Sequence, residues 1–281
     1  MSPSSRLPGH LAAQLGRESA GELVRVLVAL HDGAAAILGE NLLAVYLTGS
    51  LAVGRGDQAS DVDFLMVGRR PETSAEEAAI RLLHDSLPDR PERWAQRLEG
   101  SWASVEALRD PVGRHHAWLY VDNGSRVMEY SRHDDTWNAR WVLRHAGIPL
   151  TGPSPSQLVP EMDPRALKAE AVEQADARAR WILQEPGALL DGWAQPYVVL
   201  TYCRLVWTAT FGTVTSKNDA AGWVSRDVAP AKYRDLIAAS IRYRTRMFDP
   251  RTNRADPAYS QIAGEFADWA TTEIRERAQR P

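Results

Sequence analysis

Residues 46–67, YLTGSLAVGRGDQASDVDFLMV, hold the side chains best suited to chemistry: Gly49 and Ser50, then Asp61 and Asp63 after ten intervening residues. On an extended strand, residues i and i+2 point to one face. Asp61 and Asp63 are therefore expected to project together, with Val62 and Phe64 facing the other way. Two carboxylates so close repel each other unless a cation lies between them. Mg²⁺ suits that place, being a hard ion commonly shared between carboxylates and phosphate oxygens. Gly49 removes a side chain where a phosphate must approach the backbone and permits a sharp turn. Ser50, at the start of a following helix, offers a hydroxyl and a backbone N–H to the same phosphate. Arg55 either adds charge there or is a solvated loop residue. The chemistry expected is metal-assisted handling of a polyphosphate.

The flanking pattern supplies elements to position these groups. Apolar runs at 42–48 and 62–67 read as strands, joined by a tight connection at Gly54, Gly56 and Asp57. Before them, Ala20, Leu23, Val24, Val26, Leu27 and Leu30 repeat with helical spacing, with Ser19 as the expected N-cap. A helix from Ser74 to about Leu87 ends at Pro88 and Pro91. Strands are expected at 98–108, 116–121 and 126–130, and a helix at 136–145. Residues 148–160 hold four prolines and little periodicity, and read as a linker. Beyond it the pattern is helical at 164–184, 197–211, 217–227, 232–247 and 257–279. The expected fold is α+β: a mixed sheet with helices in residues 1–150, followed by an all-α helical bundle domain in residues 151–281.

Composition narrows the partners. With 44% hydrophobic residues, the 281-residue chain can bury a sizeable core, and a net charge of −3 disfavours a nucleic-acid partner. Ten Trp against four Phe suggest that some indoles line a cleft. Cys203, the single cysteine, sits in an apolar run and reads as a core residue. No apolar run is long enough to span a membrane, and residues 1–17 lack the apolar core of a secretion signal. A cytoplasmic monomer acting on a small molecule is the expectation.

The Gly-Ser and Asp-x-Asp pairing between two strands resembles the nucleotidyltransferase superfamily of the DNA polymerase β type. That resemblance implies a third carboxylate on a neighbouring strand. Glu99, opening a strand-like run after a proline-rich break, is the foremost candidate, as metal ligand or as general base; Glu106 and Glu129 compete.

The C-terminal half is similar to the helical domain of the aminoglycoside 3''/9-adenylyltransferases. The carrying residues are VVLTYCRLVWTATF at 198–211, then Gly212, Lys217 and Ala220-Ala221-Gly222-Trp223. The resemblance runs from about Leu42 to Arg244. It implies that Ser50, Asp61 and Asp63 hold triphosphate and two Mg²⁺ ions while Ser60 supports their turn. It also implies that Glu99 is the catalytic carboxylate, in LEGS where the family has VEVT. Lys217 matches a lysine that reaches the triphosphate, assisted by Arg204. Lys217 also precedes a helix in a Gly/Thr/Ser-rich connection, where a mobile cation can close on phosphate.

The acceptor residues depart from the family. Its E-W-x-R-N-D stretch reads Glu129-Tyr130-Ser131-Arg132-His133-Asp134, so Tyr130 replaces Trp. The Trp-and-acid element before the VVLT helix has Trp181, Asp191 and Trp193 as candidates, with Ala194 where an acid is expected. The resemblance implies AMP transfer from ATP to an aminoglycoside hydroxyl of the streptomycin or spectinomycin type, with pyrophosphate released and antibiotic resistance the result. The rival readings are transfer to another small molecule or a protein, and a degenerate nucleotide-binding module.

Overall fold

A computed structural model describes residues 7–110, 117–244 and 254–280. The chain divides into two compact units, Met1–Glu161 and Met162–Pro281.

The first unit contains helices α1 (Leu7–Leu15) and α2 (Arg17–Leu38), strand β1 (Leu42–Leu47), helix α3 (Gly49–Val53) and strand β2 (Val62–Gly68). There follow helix α4 (Ser74–Ser86), strand β3 (Leu98–Ser104), helix α5 (Val105–Arg109), and strands β4 (Trp118–Val121) and β5 (Met128–Ser131). Helix α6 (Trp137–Ala146), strand β6 (Ile148–Thr151) and helix α7 (Pro155–Leu158) complete it. The strands form one mixed sheet in the order β5-β4-β3-β2-β1-β6. Among its pairs only β2 and β3 run parallel.

Period-two alternation gives the sheet two apolar faces. Val45, Leu47, Val62, Phe64, Met66, Trp102 and Leu119 pack with Leu23, Leu27 and Leu30 of α2 and Ile80 of α4. Ala44, Tyr46, Leu65, Val67, Ala103 and Trp118 pack with Leu108 of α5, Leu143 of α6 and Leu158 of α7. Helix α4 starts in a full capping box between Thr73 and Glu76. A buried Arg140–Asp135 pair (2.5 Å) joins the start of α6 to α5, since Arg140 also donates to the carbonyls of Ala107 and Leu108.

Several expectations are corrected. Helix α2 starts at Arg17 with Gly16 as N-cap, so Ser19 lies within it; its carbonyl and hydroxyl instead accept from Trp94 Nε1. The strand expected over 98–108 ends at Ser104, whose side chain accepts from Ala107 N–H and starts α5. The proline-rich 148–160 stretch is β6 and α7. Pro149 is tolerated because β6 is an edge strand, where one missing N–H costs no ladder bond. Helix α1 was not anticipated. Positions 116 and 245–247, which belonged to expected elements, lie outside the described residues.

The second unit is helical: α8 (Pro164–Gln184), α9 (Ala194–Phe211), α10 (Lys217–Trp223), α11 (Arg234–Arg244) and α12 (Pro257–Ala278). Asp163 and Asp256 each cap a helix whose first residue is proline, a position where the missing N–H costs nothing. Helix α9 is its centre: Val198, Val199, Tyr202, Cys203 and Val206 are fully enclosed against residues of α8, α10, α11 and α12. Burial pushes the Cys203 thiol up, consistent with a core residue and not a nucleophile. Among the described residues no helix is long and apolar enough to cross a membrane.

Candidate active site

The turn from β1 to α3 is built around a missing side chain. Gly49 has φ 64°, and a Cβ placed on it would lie 1.9 Å from Asp63 Oδ2. The glycine thus seats the Asp63 carboxylate against the backbone and adopts a left-handed conformation that other residues resist. Thr48 N–H donates to Asp63 O at 2.9 Å, tying the turn to β2. Ser50 is the second residue of α3, and its carbonyl accepts from Gly54 and Arg55 N–H. Ser60, almost fully buried, closes the turn ahead of Asp61: its Oγ accepts from Asp57 N–H at 2.9 Å and donates to Asp57 Oδ1.

Sheet register brings distant residues together. Asp63 on β2 and Glu99 on β3 are direct partners in the parallel pair, so their side chains leave the same face. Val62, Phe64 and Leu98 go to the opposite, apolar face. Gly100 beside Glu99 is needed for close approach, because a Cβ there would meet Phe64 O at 2.1 Å. Ser101 of β3 pairs with Tyr120 of β4, and Tyr120 with Glu129 of β5; all of these share the carboxylate face.

Glu99 is held in a polar ring that sequence reasoning missed. Tyr120 OH donates to Glu99 Oε1 at 2.9 Å and lies 3.1 Å from Asp122 Oδ1. His133 Nε2 stands 3.6 Å from the same Glu99 oxygen, and its ring packs on Tyr120 at 4.8 Å between centroids. Asp134 engages His133 Nδ1 at 3.2 Å and accepts from Ser101 Oγ at 2.7 Å. Burial, and then the negative charge of Asp61, push the Glu99 carboxyl up to about 7, against the opposing pull of His133 and Tyr120. The bond to Asp134, then the charges of Asp134, Glu99 and Asp63, raise His133 to about 9. An imidazolium therefore stands among carboxylates at neutral pH. The signal available beforehand was that His133-Asp134 ends the Glu129–Asp134 stretch, matched to the family as an acceptor element and not as a partner of Glu99.

Asp61 lies just before β2, and its Oδ1 accepts from Asn123 Nδ2 at 2.6 Å. Among the described residues no three His, Cys, Asp or Glu side chains are gathered closely enough to hold a metal ion. The set expected from Asp61, Asp63 and Glu99 is thus not assembled as placed, and protein donors address Asp61 and Glu99. Their chemistry still suits a hard divalent ion: every donor is a carboxylate oxygen, and the repulsion that raises Glu99 is the kind such a cation relieves.

The other predicted residues scatter. Tyr130 pairs with Leu119 and so projects to the face opposite Glu99, where its hydroxyl donates to Glu77 of α4 at 2.9 Å. It cannot share a surface with Asp63, and Glu129 is the residue of that stretch that does. Glu129 is exposed, and Glu106 lies on α5.

In the helical unit, Asp191 Oδ1 accepts from Trp193 and Ala194 N–H, both at 2.8 Å, and so fixes the turn that leads into α9. Trp193 is 56% exposed and stacks on Tyr197, while Trp181 of α8 is 37% exposed. Lys217 opens α10 behind the Ser216 cap, with Nζ 4.1 Å from the Tyr197 ring centre; Arg178 lies over the same ring at 5.2 Å. Arg204 is half-buried on α9.

Residues 35–99, which span the Gly49 turn, both aspartates and Glu99, match the nucleotidyltransferase domain family. The class is therefore that of a nucleotidyltransferase-type α+β unit joined to a helical one. Residues 165–271 match the C-terminal domain of aminoglycoside adenylyltransferases. The two matches together support an aminoglycoside adenylyltransferase-like nucleotidyltransferase. Its fold is similar to that of spectinomycin adenyltransferase AAD(9) from Enterococcus faecialis, solved with ATP and spectinomycin. The TM-score is 0.64 and the identity 15%, over 89% of this chain and 98% of that one. No curated protein sequence shows significant similarity to the chain.

Proposed function

We propose that the protein transfers AMP from ATP to a hydroxyl of a small aminoglycoside-type acceptor and releases pyrophosphate. The observation that carries this reading is the parallel register of Asp63 and Glu99, with Asp63 seated on the Gly49 turn. The likeness to a protein solved with ATP and spectinomycin supports both the nucleotide and the acceptor class.

Asp61 and Asp63 would hold Mg²⁺, which when bound offsets the charge of the triphosphate. Gly49 and Ser50 would let the phosphates approach the backbone of the turn; in the helical unit, Lys217 and Arg204 are cationic groups of the kind that pairs with phosphate. Glu99 takes the acceptor proton onto a carboxylate oxygen while the acceptor oxygen bonds the α-phosphorus. The bond from that phosphorus to its bridging oxygen breaks, and pyrophosphate leaves with the electron pair. A base whose proton affinity lies near neutrality suits that task. Trp193 and Trp181 are exposed aromatic surfaces for an acceptor in this reading, and Asp191 serves by shaping the start of α9. Modification of a drug in this way, by a monomer in the cytoplasm, would confer resistance.

The test is pyrophosphate release with ATP and Mg²⁺ across an aminoglycoside panel that includes streptomycin and spectinomycin. Turnover with at least one member, lost in Asp63→Asn and after chelation, is expected. No release with any member would sink the assignment.

A further inference from the structure

Within the proposed transfer reaction, on which this inference rests, we propose that Tyr120 is a positioning residue that aims the Glu99 carboxylate. Glu99 reaches out from β3 on a flexible side chain, and the like charges of Asp61 and then Asp134 tend to swing it away. Something must hold it. Among the described residues, its one short hydrogen bond comes from Tyr120 OH, at 2.9 Å to Oε1. His133 Nε2 at 3.6 Å is too far for a good hydrogen bond and addresses the same oxygen. Tyr120 thus grips Oε1 while the His133 charge faces the same oxygen, and Oε2 is the oxygen that takes the acceptor proton.

Tyr120 is itself fixed from several sides. Its backbone pairs with Ser101, two residues along β3 from Glu99 and on the same face. Its ring packs against His133; His133 is held by Asp134, and Asp134 by Ser101. The contacts close a circuit that begins and ends on β3. Burial and the flanking carboxylates push the phenol far up, so its proton stays available for donation. Asp122 Oδ1, at 3.1 Å, is a second and longer acceptor for that single proton, so the shorter bond to Glu99 is the favoured one.

The experiment compares wild type, Tyr120→Phe, Glu99→Gln and the double variant in full-length protein, with ATP, Mg²⁺ and whichever acceptor turns over. Tyr120→Phe keeps the ring on His133 and removes only the hydroxyl. A fall in kcat of about 10- to 100-fold is expected, a fraction of a general base's whole contribution, with KM for ATP and acceptor within about twofold. In the Glu99→Gln background the same change should cost nothing further, because Tyr120 acts through Glu99. Tyr46→Phe makes the same chemical change on the same face, removing a hydroxyl bonded to Pro153 O, and should leave kcat intact. Crystal structures of wild type and Tyr120→Phe supply a readout independent of turnover: the Glu99 carboxylate should rotate away from its wild-type direction. An unmoved Glu99, an unchanged kcat, or additive losses in the double variant would each overturn the proposal. Should wild type release no pyrophosphate with any acceptor, the functional reading fails by itself, and the Glu99 direction in the two structures decides the inference.

Discussion

Asp63 on β2 and Glu99 on β3 stand side by side as register partners of the parallel pair in the sheet. Two acids so placed cost stability in exchange for chemistry, and the cost is measurable. Asp63→Asn should abolish nucleotidyl transfer while raising the free energy of unfolding, because it removes one of two like charges. A gain of about 0.5–2 kcal/mol is the usual yield of relieving such a site. Urea unfolding and pyrophosphate release on the same preparations check both halves. Retained transfer would remove Asp63 from the machinery.

The seat of that aspartate is just as specific. Gly49→Ala places a methyl where Asp63 Oδ2 now lies, on a residue with φ 64°. The variant should lose about 1–3 kcal/mol from the unfavourable backbone and lose transfer as Asp63 is displaced. Thermal unfolding and a turnover assay report the two effects. Wild-type behaviour in both would mean that the turn can shift without harm.

Tyr130 gives the opposite expectation. Since it faces α4 and hydrogen-bonds Glu77, Tyr130→Phe should leave acceptor KM unchanged and alter stability by less than about 1 kcal/mol, as expected for an exposed polar contact. A severalfold rise in acceptor KM, measured by steady-state kinetics, would put Tyr130 back in the acceptor site.

A pH effect comes from the other face of the sheet. His84 is buried, stacks on Phe64 and accepts from Trp102 Nε1 at 3.0 Å; burial pushes it from 6.5 down to about 4. Above pH 6.5 it is neutral in folded and unfolded chains alike, and contributes no pH dependence. Between 6.5 and about 4 the unfolded chain binds a proton that the folded one excludes, so stability falls as pH falls. The loss should approach about 3 kcal/mol across that window, at roughly 1.4 kcal/mol per pH unit. Urea titrations at several pH values should show a shallower dependence in His84→Gln than in wild type. Parallel curves would place the pH sensitivity elsewhere.

Much of the site was legible because its geometry is local. The i, i+2 spacing of Asp61 and Asp63 and the Gly-Ser step before them follow from a two-residue repeat and a turn that needs glycine. Glu99 was legible as a strand residue after a proline-rich break. The face that Tyr130 takes was not legible, because a motif gives position along a strand and not the face; a one-residue offset turns a side chain through the sheet. The prolines at 149 and 153 suggested a linker because nothing local reveals that β6 pairs along one edge only. Tyr120 and Asn123 carried no pattern of their own, and the stretch that ends in His133 and Asp134 gave no sign that they reach Glu99.

The amino-acid order alone determined the chemical inventory: carboxylates, glycine turn, apolar strands and a helical second half. Backbone geometry repeats over a few residues, and side-chain types write that repeat directly into the chain. Only the tertiary structure decided which acid stands beside Asp63, which face Tyr130 takes, and which phenol holds Glu99. Those choices depend on strand register, and register is settled by burying both apolar faces of the whole sheet at once, a condition that no single segment can express.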